Sequence, residues 1–446
     1  MPSAAEQLAA SFNFGAFAKA TELRKRIWFT LGALIVYRLG TYIPLPGIDP
    51  VAISDIFARQ AGGILGMFNM FAGGALERMT IFALNIMPYI SASIIIQLMT
   101  AVVPSLEAIK KEGETGRKKL NQYTRYLTVL ITIGQAYGLA VGLEGMRSSV
   151  GSAVIDPGLF FRFTTVVTLL GGTMFLMWLG EQITARGIGN GISLIIFAGI
   201  VAHFPQALAA TLELGRTGAI STVFIIGMLV LILVVVAFVV FIERAQRRII
   251  IQYPKRQVGM RVTGGESTHL PLKLNTSGVI PPIFASSLLL MPITLIGFMA
   301  GTGPAWLSTV SAYLGHGQPL YLLLYVALIV FFAFFYTAVV FNPAETADNL
   351  KKYGGFIPGI RPGKNTADYL DRVLTRLTVI GAAYLAVVCI LPEILISRLA
   401  VPFYFGGTSL LIVVTVTLDT VAQVQSHLLA HQYEGLIKKA KLKGKR

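Results

Sequence analysis

The chain has 446 residues, 54% of them hydrophobic and only 13% charged, with a mean hydropathy of +0.70. Soluble domains carry about a quarter charged residues, so a chain this apolar cannot cover its surface in water, and lipid must solvate much of it. The net charge of +16 fits either a nucleic-acid partner or the one-sided loops of a membrane protein, and the single cysteine, Cys389, excludes an internal disulfide and a cysteine-based metal site.

A spanning helix needs about 20 mostly apolar residues. Ten runs meet this, near 27–44, 80–103, 124–143, 161–180, 188–206, 218–242, 279–300, 319–341, 374–392 and 407–427. The first follows Lys19, Arg24, Lys25 and Arg26, is interrupted near its end by Arg38, and has no small-residue cleavage site behind it. It therefore reads as a retained helix rather than a removed signal. In the second run, Pro88 is expected to loosen a backbone bond. Ser91, Ser93 and Gln97 there are open to two readings: ordinary small-residue packing, or a weakly glued interface that parts sideways.

Lysine and arginine placement orients the runs. The N-terminal tail, the connections after runs two, six and eight, and the C-terminal tail are all basic. The connection after run seven carries no lysine or arginine. Ten single spans put every basic stretch on one side, with both termini in the cytoplasm. The charge then follows membrane topology, and a nucleic-acid reading is not needed. Five runs per half also make the halves opposite in orientation, as inverted repeats are. The seam is expected in the connection at 207–217.

Two segments do not fit simple spans. Residues 62–74, between runs one and two, are apolar, too short to cross and rich in terminal glycine. The residues alone favour a surface helix over a re-entrant, hinged element. Residues 247–274 are basic and β-branched at one end and weakly alternating at the other, the pattern of a hairpin projecting into the cytoplasm toward an anionic surface.

Little in the chain looks like catalysis. The five histidines are scattered, and His427 and His431 lack an acidic or cysteine partner at matching spacing. The stretch 359–365 imitates a phosphate loop, but Pro358 stands where the first glycine belongs and Asn365 where serine or threonine belongs. The runs hold few ionisable residues, and Arg38, Arg162, Glu181 and Asp419 fall near their ends, which disfavours an ion-coupled carrier. An enzyme or scaffold is disfavoured because no polar cluster is evident.

Six stretches in order along the chain carry a family resemblance: MPYISAS from Met87, GEQIT from Gly180 with GIGNG from Gly187, STHLP from Ser267, FNPAETA from Phe341, GIRPG from Gly359 and PFYFGGT from Pro402. On these the chain resembles the SecY family, the central channel of the bacterial Sec protein translocase, over almost its whole length.

The resemblance implies an all-α membrane protein with ten transmembrane helices. Two inverted five-helix halves, 1–212 and 213–446, would form an hourglass pore. It implies a waist ring of Ile86, Ile90, Ile192, Ile196, Ile283 and Ile412. It also reverses the surface-helix reading of 62–74: that segment becomes a plug, with Ile64, Leu65, Met67, Phe68, Met70 and Phe71 as the seal.

A lateral gate would lie between runs two and three on one side and seven and eight on the other, lined by Ser91, Ser93, Gln97, Ser286 and Ser287. The cytoplasmic loops, about 243–278 and 342–373, would dock the SecA motor ATPase and the ribosome through Arg361, Lys255, Arg256 and Arg261. Met260 precedes Arg261 where family members often carry further arginine, which weakens the contact expected there. The remaining implied partners are the SecE and SecG small subunits, signal sequences with unfolded preproteins, and anionic lipids. No cofactor, metal or nucleotide-hydrolysing site is expected. The implied location is the bacterial inner membrane.

Overall fold

A computed structural model describes residues 20–60, 69, 72–146, 151–218, 221–254, 256–258, 261–263, 267–299, 313, 318–399 and 407–443. The helices are α1 (Thr21–Gly40), α2 (Pro50–Gln60), α3 (Met87–Val102), α4 (Pro104–Lys111), α5 (Glu114–Gly145), α6 (Leu159–Arg186), α7 (Gly191–Arg216), α8 (Thr222–Arg244), α9 (Ile280–Met299), α10 (Pro319–Val340), α11 (Pro343–Lys352), α12 (Lys364–Leu399) and α13 (Gly407–Lys443). Four short strands, β1 (Gln246–Gln252), β2 (Arg256–Val258), β3 (Arg261–Thr263) and β4 (Ser267–Lys273), stand between α8 and α9.

Each of the ten predicted runs coincides with a helix among the described residues. Seven of these helices are long and apolar enough to cross a membrane, or eight if α3 and α4, bent by 99° at Val103, are counted as one broken span.

The helix starts explain several of the differences from expectation. Run two was expected from residue 80, but residues 81–86 are turns and α3 begins at Met87. Asn85 holds a left-handed φ of 49° there, which aims the chain into the helix. Pro88 therefore sits in the first turn, where its missing N–H has no intrahelical partner to lose, so it loosens nothing. The connection expected at 207–217 is helical almost throughout. Helix α7 runs on through Pro205 to Arg216, and the break comes at Thr217. The asparagines of two family-like stretches act as N-caps. Asn190 Oδ1 accepts from the amides of Ile192 and Ser193 at the start of α7. Asn342 Oδ1 accepts from Ala344 and Glu345 at the start of α11.

The predicted hairpin is present. β1 and β4 pair antiparallel from Gln246↔Lys273 to Gln252↔Ser267, and β2 pairs with β3 beyond them. Period-two alternation buries Ile249 and Ile251 while Ile250 faces out. The buried face meets the segment after α11 and the first turns of α12. Ile249, Leu272, Ile357, Leu370, Leu374 and Leu377 form a second apolar core separate from the bundle. Gln252 and Phe356 exchange backbone hydrogen bonds at 2.9 and 3.0 Å. The two basic loops are thus one structural unit, a cap with its own interior.

Candidate functional site in the bundle interior

The six predicted waist residues lie on four helices or their first turns. Ile86 and Ile90 are one turn apart at the start of α3, with the Ile90 amide donating to the Ile86 carbonyl at 3.1 Å. Ile192 and Ile196 repeat the spacing at the start of α7, while Ile283 and Ile412 lie on α9 and α13. Ile86, Ile90, Ile196 and Ile412 are buried in the main apolar core, and Ile192 and Ile283 pack against it, partly exposed. That core is larger than the six residues. Their common property is branched aliphatic surface without a hydrogen-bonding group, which disfavours water while binding no particular sequence.

One flank of this core is held together by side chains. Helix α9 packs against both α3 and α5. Ser91 on α3 and Ser286 and Ser287 on α9 are buried. The polar link between α3 and α9 is weak: Ser287 Oγ donates to Met87 Sδ at 3.7 Å. Ser286 Oγ turns back to the Ile283 carbonyl, and Gln97 Nε2 donates to Ser93 Oγ within α3 at 3.2 Å. Gln97 Oε1 is buried with no hydrogen-bond partner. The bond between Gln97 and Ser93 thus runs along one helix. At the end of this flank, Lys110 Nζ on α4 reaches the Val339 carbonyl of α10 at 3.4 Å.

The opposite flank is tied through the main chain. The loop between α6 and α7 is gripped from α1, where Thr30 Oγ1 accepts from the Ile188 amide at 3.1 Å and Arg26 donates to the Gly187 carbonyl at 3.4 Å. From α13, Gln423 Oε1 accepts from the Gly189 amide at 2.7 Å. Gly189 has φ +87°, and a Cβ there would lie 2.9 Å from Leu194 Cδ1. The left-handed backbone conformation is what favours glycine there, since the Leu194 methyl lies at the end of a flexible side chain.

Of the predicted plug, Ile64, Leu65, Met67, Phe68, Met70 and Phe71 lie outside the described residues. Its C-terminal root is described and is held by polar contacts. Arg38 on α1 donates to the Gly73 carbonyl at 2.7 Å and to the Tyr42 hydroxyl at 3.1 Å. Asn69 and Glu77 form a reciprocal pair: Asn69 Nδ2 donates to Glu77 Oε2 at 3.0 Å, and the Glu77 amide donates to Asn69 Oδ1 at 2.9 Å. Arg78 donates to the Thr41 carbonyl at 3.2 Å and lies over the Tyr42 ring at 4.1 Å.

Among the predicted docking residues, Arg361 is exposed on the cap. Arg256 and Arg261 lie on β2 and β3, where the register pairs them with Thr263 and Val258. Lys255 lies outside the described residues. Sequence reasoning missed the carboxylate of Glu243 at the end of α8. Asn275 Nδ2 donates to it at 2.8 Å and the Tyr384 hydroxyl at 3.5 Å. This pins the foot of the hairpin to α12. It also missed Gln423 and the arginine hold on Gly73. Single polar residues inside apolar runs carry no pattern from which such long-range partners can be read. Among the described residues no group of three or more histidine, cysteine or acidic side chains could hold a metal.

Comparison with known proteins accords with this geometry. The SecY family model matches residues 80–421. The chain is 58% identical over 422 residues to the protein translocase subunit SecY of Rickettsia conorii, covering 95% of this chain and 97% of that one. It is 59% identical over 424 residues to the subunit of the same name from Escherichia coli K12, covering 95% and 96%. Among solved structures, one described as a protein conducting channel superposes with a TM-score of 0.65 at 19% identity, covering 91% of this chain and 92% of that one. Sec61 in the canine ribosome–channel complex from the endoplasmic reticulum gives 0.62 at 17% identity over the same shares. The chain belongs to the SecY family.

Proposed function

We propose that the chain is the protein-conducting channel of a Sec translocase, passing unfolded secretory polypeptides across the membrane and releasing transmembrane segments sideways into lipid. The observation that carries this reading is the contrast between the two flanks of the apolar core. Among the described residues, the flank between α3 and α9 is closed by aliphatic packing and a weak sulfur–hydroxyl contact. The opposite flank is tied by short bonds to backbone groups. Such a body parts on the weak side and pivots on the strong one. A signal sequence, an apolar helix of about 7–15 core residues, would replace the α3–α9 contact with its own apolar surface. Each buried methylene would contribute about 0.8 kcal/mol.

In this reading Ile86, Ile90, Ile192, Ile196, Ile283 and Ile412 form the constriction between the halves 1–212 and 213–446. The 62–74 segment is the plug below it. Ser91, Ser93, Gln97, Ser286 and Ser287 line the lateral exit. The basic loops and both termini face the cytoplasm of a bacterial inner membrane, as the distribution of lysine and arginine supports. The cap presents Arg361, with Lys255, Arg256 and Arg261 nearby, to the SecA motor or to the ribosome. SecE and SecG would accompany the chain in the bilayer, and anionic lipid would meet its basic face. The chain itself hydrolyses no nucleotide, so motion of substrate is driven by the docked partner.

The test is a photoactivatable residue at Ile90 with a secretory precursor stalled in transit, beside the same precursor whose signal is broken by charges. A signal-dependent adduct is the expected result. Silence at Ile90, Ile283 and Ile412 while the precursor still crosses would remove the pore assignment.

A further inference from the structure

Helix α10 ends in carbonyls that its own chain leaves without amides. The residue four positions after Val339 is Pro343, which has no N–H to give. The amides of Ala344 and Glu345, which would serve Val340 and Phe341, go instead to Asn342 Oδ1 at 3.1 and 3.3 Å. Such an end carries the negative pole of the helix dipole and favours a cation. Lys110 supplies one: its Nζ donates to the Val339 carbonyl at 3.4 Å, from 229 positions away in the chain. Lys110 has no ion pair among the described residues, since Glu107 beside it is taken by Lys111 at 2.7 Å.

The two partners stand on opposite sides of the α3–α9 seam. Helix α4, which carries Lys110, continues α3 after the bend at Val103. It is fixed to α5 by Lys119 on Glu112 at 3.0 Å, and Gly116 lies so close to the Ile109 carbonyl that no Cβ would fit. Helix α10 is fixed to α9 by Phe284, whose ring meets Phe332 and Tyr336 edge-on at 5.7 and 6.5 Å. Parting α3 from α9 therefore takes Lys110 off the Val339 carbonyl.

We propose that the C-terminal end of α10 at Val339 is a seat for the basic residue that precedes the apolar helix of a signal sequence, held by Lys110 while the seam is closed. The inference rests on reading the α3–α9 seam as the lateral gate. Signal sequences carry a positively charged stretch ahead of their apolar run. With that run between α3 and α9, and its start toward the basic loops, the signal's lysine or arginine arrives where Lys110 has left. Its N–H donates to the same carbonyl. One cation replaces another, and no carbonyl is left bare. A signal with a neutral leading stretch parts the same seam without replacing the contact it breaks. The seat is a local negative spot on a side otherwise rich in lysine and arginine, so it sorts signals by charge as well as by apolar length.

The experiment uses the channel, purified with whatever subunits accompany it, in vesicles of mixed zwitterionic and anionic lipid. One stalled precursor carries a photoactivatable lysine analogue in its leading stretch, and a second carries a photoactivatable group in its apolar run. We expect the first to label residues 336–341 and the second to label Met87 or Ser287. Leading-stretch adducts confined to lipid, beside apolar-run adducts at Met87 or Ser287, overturn the seat alone. An apolar run that labels neither while the precursor crosses removes the gate reading and this inference with it. Lys110→Met, which keeps an unbranched stem at an exposed site, should raise transport of a precursor with glutamines in place of its leading lysines by about two- to fivefold, the range of a charge at a helix end. Unchanged transport of that precursor overturns the exchange.

Discussion

At the scale of residues, a few side chains and one missing side chain set the geometry. Gly172 on α6 lies against the turn segment so closely that a Cβ would stand 2.0 Å from the Ile81 carbonyl oxygen. A backbone atom cannot swing away as a side chain can. Gly172→Ala should lower stability by about 1–3 kcal/mol, the usual cost of overpacking. A matching fall in melting temperature in detergent would confirm it; an unchanged melting temperature would mean that the turn segment is free to shift. Ile90 is the opposite case, a side chain whose value lies in having no polar atom. Ile90→Asn should raise resting ion leak severalfold while precursor transport persists, measured as conductance in a bilayer. A dry, unchanged baseline would place the constriction elsewhere.

At the scale of elements, the contact between α3 and α9 predicts a lock. In a Cys389→Ser background, Met87→Cys with Ser287→Cys bridged by a short bifunctional reagent should stop signal-dependent transport. Cleaving the bridge should restore it. Transport that continues through the bridged form would contradict a sideways opening at this seam. The cap predicts a second effect. Ile357 lies in the interior shared by the hairpin and α12, and an aspartate there would bury an unpaired charge. Ile357→Asp should make residues 246–273 readily cleaved by protease and should weaken partner binding, even though Arg361 is intact.

How much of this was legible in the sequence follows from periodicity and range. The helices were readable because twenty apolar residues in a row have few other solutions. The β1–β4 pairing was readable from β-branched and alternating stretches. The start of α3 was missed because Ile81, Phe82, Ala83 and Leu84 look like helix by hydropathy, while the turn depends on the backbone of Asn85. The cap's shared interior was also out of reach, since it joins Ile249 to Leu370 across some 120 residues that include α9, α10 and α11. At the site, residue types were visible, but the grip of Gln423 on Gly189 was not.

At the scale of the whole molecule, two masses meet, an apolar bundle and a cap whose loops carry more lysine and arginine than acid. Attraction between an exposed basic surface and an anionic partner is screened over about 8 Å at physiological salt. Partner affinity should therefore fall steeply with salt, roughly tenfold or more between about 50 and 200 mM, with Arg361→Glu flattening the dependence. Affinity that ignores ionic strength would point to an apolar docking surface instead.

The cap's divided interior also bears on how the chain is made. Its hairpin half, ending at Leu272, leaves the synthesis machinery well before its partners Leu370, Leu374 and Leu377 exist. At about 5–20 residues per second, the buried faces of Ile249 and Leu272 wait on the order of 5–20 s with nothing to cover them. During that interval α9 and α10 must enter the bilayer while the hairpin at their head is half-built. A newborn chain thus passes through a stage in which the surface meant for its future partners is sticky and incomplete, a window in which a chaperone or the synthesising ribosome itself has reason to shield it.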